Sequence, residues 1–232
     1  SERFTLEDYH KYCKKYDGNW NFSKELASYC ETDCLALHQV MTKFAEYIHN
    51  NFSIDITNYV SLSSITFAIY RANFLPEDTI PKITSKLHFK LKDSYLGGFC
   101  DVYKAKGSNI HSYDINSLYP TAMVNSNMPT GAPLHIVGDA YDYTDKPFGF
   151  VYADIDANPD LIEIPTLPHR VETSDGYRTS CPLGTWSSWY FLRELENAKK
   201  DGYKFKIKEA YLFEPKNIFK EYIEQLYKIK SS

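Results

Sequence analysis

Long apolar runs are missing from this chain: no stretch approaches the roughly 18 consecutive apolar residues that a helical membrane span requires. The opening residues Ser1-Glu2-Arg3-Phe4 carry neither a charged leader nor an apolar segment, so a soluble chain without a visible address label is expected. Cysteine is sparse and odd in number. Cys13, Cys30, Cys34, Cys100 and Cys181 form no Cys-x-x-Cys pair, a usage that suits reduced thiols better than a disulfide framework. There is no Gly-x-Ser-x-Gly elbow, Walker loop, internal repeat or low-complexity segment. Positive charge is also short, and a net charge of -4 with a pI near 6.0 argues against a protein that coats nucleic acid by bulk electrostatics. Aromatic residues, by contrast, are abundant: 16% of 232 residues, as 20 Tyr, 14 Phe and 3 Trp, beside ordinary apolar (43%) and charged (24%) fractions. A chain this long can bury roughly 70–75% of its unfolded surface, so one large or two small ordered domains are expected.

Apolar spacing predicts an α+β layout. Leu26, Cys30, Cys34, Leu37, Met41, Phe44 and Ile48 recur every three or four residues, which predicts a helix over 23–50 with Ser23 as N-cap. A second helix runs from Ile65 to Phe74 before Pro76 stops it, and 75–94 reads as a connector. From Tyr95 onward, short runs rich in Tyr, Val and Ile between glycines predict antiparallel strands, among them Val151–Ile155 and Phe205–Phe213. Helices are expected over 189–200, capped by Ser188 and closed by Asp201-Gly202, and over 217–228. Charge is distributed unevenly. Lys82, Lys86, Lys90, Lys92, Lys104 and Lys106 outnumber the acids of 82–108, whereas acids dominate 135–175 over Lys146 and Arg170. The first long helix lacks an evident partner and the last runs into the final residues, so the chain is expected to be a piece of something larger.

The most informative string is Ser112-Tyr113-Asp114-Ile115-Asn116-Ser117-Leu118-Tyr119-Pro120, read as a strand ending at Asp114 and Ile115, a turn, and a helix capped by Ser117. A carboxylate at a strand end can hold Mg²⁺ while nearby helix N-terminal amides meet phosphate. Turn chemistry alone favours a plainer reading, in which Asp114 and Asn116 make Asx-type turn hydrogen bonds. Tyr29 and Asp33 stand four apart and share one helical face, a pattern common in any helical protein. Tyr95 with Gly97-Gly98 reads as an aromatic beside a tight turn that can approach phosphate, or as an ordinary hairpin. Cys30, Cys34 and His38 stretch over two helical turns without a fourth partner, which makes a poor zinc site.

Asp114-x-x-Ser117-Leu118-Tyr119-Pro120 resembles motif A of family B DNA polymerases. Tyr95-Leu96-Gly97-Gly98 resembles the YxGG motif joining exonuclease and polymerase domains, and Tyr29-x-x-x-Asp33 the third exonuclease motif. Their order, with an acidic and aromatic insertion afterwards, is most similar to the protein-primed branch found in certain bacteriophages and in mitochondrial linear plasmids. The resemblance implies the end of a 3′-5′ exonuclease domain over 1–75 and a linker with the start of an antiparallel-sheet palm over 76–133. It further implies a terminal protein region 1 insertion over 134–215 and a return helix over 216–232.

Carried onto these positions, the resemblance makes Asp114 and the Ile115 carbonyl ligands of two catalytic Mg²⁺ ions about 3.5–4 Å apart. Ser117, Leu118 and Tyr119 would bind nucleotide, with Tyr119 as the gate against a ribose 2′-hydroxyl. Asp33 would bind metal and Tyr29 orient water for exonucleolysis, while Tyr95, Gly97 and Gly98 would touch DNA. The implied partners are template-primer DNA, deoxynucleoside triphosphates and a terminal priming protein, with no membrane, and the implied location is the mitochondrion or a bacterial host's cytoplasm. The remaining exonuclease motifs, motif B and motif C are absent from this chain, so the fragment alone is expected neither to polymerise nor to degrade DNA. Two alternatives stay open: an inactive relic that binds DNA or protein, and an unrelated nuclease using Asp33 with Asp114.

Overall fold

The structure, a computed structural model, describes residues 5–16 and 20–231, so Ser1–Phe4, read above for a leader, lie outside the described residues. The chain divides into two compact units, 1–73 and 74–232.

The first unit is helical. Helix α1 (Leu6–Tyr16), which the apolar spacing did not reveal, starts at a reciprocal pair of bonds between Thr5 and Asp8: Thr5 N–H donates to the Asp8 carboxylate at 2.9 Å and Asp8 N–H to the Thr5 hydroxyl at 3.2 Å. The predicted long helix is α2 (Phe22–Phe52). Its N-cap is Asn21, not Ser23: the Asn21 side chain accepts from Lys24 N–H at 3.1 Å, which places Ser23 inside the first turn. At the other end Ser53, in the left-handed region at φ 55°, returns its N–H to the His49 carbonyl at 2.9 Å. The apolar stripe has helical spacing, yet Leu26, Cys30, Cys34, Leu37 and Met41 are exposed. Only Ile48 and Phe52 are buried on this helix, beside Ile54, Ile56 and, on α3 (Leu62–Asn73), Ile65, Ile69 and Tyr70. Asn73 closes the unit by donating to the carbonyls of Phe52 and Ile69, both at 3.2 Å.

The second unit opens with α4 (Ser85–Asp93), where a connector was expected. Thr84 caps it by accepting from Leu87 N–H at 3.3 Å, and Leu87 is buried, whereas the surrounding lysines hide so short a period from a sequence pattern. The strands expected directly after Tyr95 do not form. Residues 95–115 carry no regular structure, because a strand needs a neighbour for its N–H and C=O groups and none of the described strands aligns with this stretch. Helix α5 (Leu118–Asn125) follows, and then β1 (Met128–Val137).

A four-stranded antiparallel sheet is built from β1, β2 (Gly149–Ala157), β5 (Gly184–Phe191) and β6 (Lys204–Lys216), in the order β1-β6-β2-β5. Alternation, offset once by an irregularity in the β2–β6 register at Tyr152 and Ala153, decides its faces. Val151, Ala153 and Ile155 of β2 and Ile207 and Ala210 of β6 bury one face against Leu192, Leu195 and Ala198 of α6 (Leu192–Lys200). Ser188 does not cap α6: it lies in β5 opposite Ala153, and the chain passes straight from strand to helix with Phe191 at the capping position and no side-chain bond. Asp201-Gly202 ends the helix as expected, with Gly202 at φ 98°.

β1 is an edge strand carrying Pro129, Pro133 and an irregularity between Thr130 and Leu134. A separate hairpin, β3 (His169–Thr173) with β4 (Gly176–Ser180), escaped the pattern reading altogether. Helix α7 (Lys220–Ser231) ends the described residues and packs on α5. Among these residues, no helix is long and apolar enough to cross a membrane.

Candidate nucleotide and nucleic-acid site

Asp114 is exposed in irregular backbone, which corrects its expected place at the end of a strand; Ile115 beside it is exposed as well. Ser117 stands at the start of α5, but in the left-handed region at φ 51° and without bonding the helix's free N–H groups. Its hydroxyl instead accepts a hydrogen bond from the Tyr227 hydroxyl of α7. This leaves the first-turn amides uncapped, including those of Leu118 and Tyr119, since a helix cannot satisfy its own first N–H groups. Leu118 and Tyr119 are exposed, Tyr119 at 76%. The Asn217 side chain, donating to the Val124 carbonyl at 2.6 Å, ties the other end of α5 to the approach to α7.

Tyr95 and Gly97-Gly98 follow directly from α4. Tyr95 N–H bonds the Lys92 carbonyl at 3.1 Å and its ring is 77% exposed. The tight turn expected at the glycines is not formed, and neither glycine has a positive φ. What the pair provides is room: a Cβ at either position would meet no atom within 4 Å. In the other unit, Tyr29 and Asp33 occupy the exposed face of α2, one turn apart. Tyr29 borders a cavity of about 430 Å³ that Tyr12, Trp20 and Phe22 also line. Cys30, Cys34 and His38 are all exposed on the same helix.

The family model for DNA polymerase type B, organellar and viral, matches residues 1–232. The chain belongs to the organellar and viral type B DNA polymerases. It is 64% identical over 233 residues to a probable DNA polymerase of Ascobolus immersus, a match covering 100% of this chain and 19% of that protein. To a probable DNA polymerase of Neurospora intermedia it is 46% identical over 240 residues, covering 100% of this chain and 25% of the relative. The chain therefore spans no more than about a quarter of these two relatives. Its fold is similar to Phi29 DNA polymerase complexed with primer-template DNA and incoming nucleotide substrates, with TM-score 0.58, 19% identity and coverage of 80% of this chain and 34% of that one. The orthorhombic crystal form of Phi29 DNA polymerase matches with TM-score 0.56 and 19% identity, over 81% and 34% of the two chains.

The resemblance implies two Mg²⁺ ions in the complete enzyme, toward which this type B polymerase chain is expected to carry only part of the ligands. Among the described residues no group of three or more His, Cys, Asp or Glu could hold a metal ion, and Asp114 offers a single carboxylate.

One further cluster was invisible in the sequence. On the outer face of the sheet, Lys90 of α4 forms an ion pair with Glu209 and stands 5.0 Å from the Trp189 ring centre and 5.2 Å from that of Tyr211. His135 Nε2 lies 2.9 Å from the same Glu209 carboxylate, and its ring stacks on Tyr211 at 4.6 Å. Burial opposes charge on Lys90, but bonds to Glu209 and the Tyr211 hydroxyl outweigh it and raise its pKa above the ordinary lysine value. Glu209 is likewise penalised by burial, and Lys90 and His135 nevertheless hold it below the usual carboxylate range. This cluster pins α4, and hence the root of the Tyr95–Gly98 loop, to β1, β5 and β6. The alternation of charged and aromatic residues along β6 was its only sequence signal.

Proposed function

We propose that this chain is part of a DNA-directed DNA polymerase that adds deoxynucleoside monophosphates to a DNA 3′ end or to a hydroxyl of a terminal priming protein, with an associated 3′-5′ exonuclease. The observation that carries this reading is the ordered set of three motifs within a chain matched over its whole length by one polymerase family. The uncapped N-terminus of α5 supports it, because free amides at a helix start favour phosphate oxygens. Asp114 provides one carboxylate toward divalent metal and the Ile115 carbonyl a further oxygen, the other ligands coming from the remainder of the polymerase. Tyr119, exposed one turn into the site, presents its ring to the sugar of an incoming nucleotide and leaves no room for a 2′-hydroxyl. Tyr29 and Asp33 belong to the exonuclease centre in this reading, and Tyr95 with Gly97 and Gly98 to the DNA track.

The same reading divides the chain into an exonuclease end (1–75), a linker and first palm segment (76–133), a terminal protein region (134–215) and a return helix (216–232). A mitochondrial setting, or otherwise the cytoplasm of a bacterial host, belongs to the same reading. The test uses the complete reading frame. Asp114→Ala abolishes primer extension and leaves 3′-5′ degradation of single-stranded DNA; loss of both activities, or retention of extension, overturns the assignment.

A further inference from the structure

A cleft of about 440 Å³ lies between the outer face of the sheet, at its β5 edge, and the β3-β4 hairpin, within the size range of small-ligand sites. Tyr152 and Trp189, directly opposed on β2 and β5 with ring centres 5.6 Å apart, form one wall. The hairpin supplies the other. Arg170 pairs with Thr179 and Glu172 with Tyr177, so Arg170 and Tyr177 share one hairpin face, and both line the cleft. His169 at its end is stacked on Trp186 at 5.3 Å, and burial lowers its pKa, favouring the neutral ring. Tyr177 is 69% exposed and, among the described residues, has no ring partner. An aromatic held in water on a two-stranded arm contributes little to a core, but it is placed to close on a ligand.

We propose that this cleft takes an unpaired nucleobase of single-stranded DNA, an inference that rests on the polymerase reading above. The exposed Tyr177 ring and the half-buried Tyr152 ring, which the buried Trp189 backs, offer apolar surfaces to a planar heterocycle, and Arg170 can stack on the base or reach its phosphate. Asp93, which also lines the cleft, is an acceptor for an exocyclic amine. A duplex is excluded by geometry, because paired bases have their faces covered by their neighbours. A cationic partner side chain is disfavoured by Arg170 within the cleft and by Lys90, which already lies over the Trp189 ring. The acidic surroundings of 135–175 give little attraction for the DNA backbone, so affinity here depends on ring contact and not on charge alone.

The test titrates the 232-residue chain with a fluorescent mixed-sequence single-stranded 12-mer, its fully abasic counterpart and the corresponding duplex. Tyr177→Ala, on an exposed hairpin, keeps the wild-type circular dichroism and weakens binding of the normal 12-mer about 5- to 100-fold, the range expected for losing one base-aromatic stack. Tyr177→Phe retains affinity. The abasic strand binds wild type as weakly as the normal strand binds Tyr177→Ala, and duplex binding is indifferent to either variant. Equal affinity for normal and abasic strands, or no effect of Tyr177→Ala, overturns the cleft assignment; so does displacement of the 12-mer from the wild type by a lysine-rich peptide with no loss on Tyr177→Ala. Because the polymerase reading is decided by Asp114→Ala in the complete reading frame, the two can fail separately.

Discussion

Replacing Lys90 by methionine removes the charge that joins α4 to the sheet while keeping most of the apolar stem. The Lys90 and Glu209 side chains are 22% and 24% exposed, so their ion pair is neither fully screened nor fully desolvated. A charge-assisted hydrogen bond in that setting contributes about 1.5 kcal/mol, and the cation over Trp189 and Tyr211 about 0.5–1 more. Lys90→Met is therefore expected to lower the stability of the second unit by about 2 kcal/mol, a fall of about 4–8 °C in Tm for a body of this size. Urea unfolding followed by tryptophan fluorescence measures it, since Trp189 lies in contact with the substituted side chain. In a double-mutant cycle with Glu209→Gln, a coupling of about 1 kcal/mol is expected, and strictly additive single effects would refute the reasoning. The pH dependence has a definite sign at each end. Lys90, with its folded pKa raised, contributes fully below the ordinary value of 10.5, and the contribution is lost as pH climbs through the raised value. Glu209, with its pKa lowered, contributes above the ordinary value of 4.5, and this is lost as pH falls through the lowered value. The gap between wild type and Lys90→Met thus narrows at both extremes of pH.

Gly149→Ala places a Cβ 2.0 Å from the Tyr211 carbonyl oxygen and 3.0 Å from Leu212 Cα, in the middle of the sheet; a loss of about 3 kcal/mol or more is expected, and a urea midpoint within experimental error of wild type would contradict the pairing of Gly149 with Leu212. In the complete polymerase, Tyr119→Val is expected to raise ribonucleotide incorporation at least several-fold with little change in deoxynucleotide use, scored by alkali-sensitive products. Unchanged sugar selection would remove Tyr119 from the gate role.

Periodicity alone was sufficient for α2, α3, β2 and β6, because each holds a run of apolar residues at one spacing. It failed where the deciding interactions are local caps or distant partners. α4 is set by one threonine cap and one buried leucine, while 112–115 has strand-like composition but no neighbour to pair with. Asp114, Tyr119, Tyr29 and Asp33 are singled out as candidates only by their resemblance to family motifs, since each side chain is exposed and leaves no packing signature. Lys90 and Glu209 are 119 residues apart, a pairing that no window along the sequence can reveal.

The prolines and broken register of β1 have a consequence for the behaviour of the protein in concentrated solution. Proline withholds the amide donors that an incoming chain would need, and the irregular ladder spoils the straight rim on which a second sheet could continue. Fibrillar growth by strand addition demands two competent rims on every molecule, and this sheet has at most one, along β5. Through this sheet, assembly by that route stops at a pair.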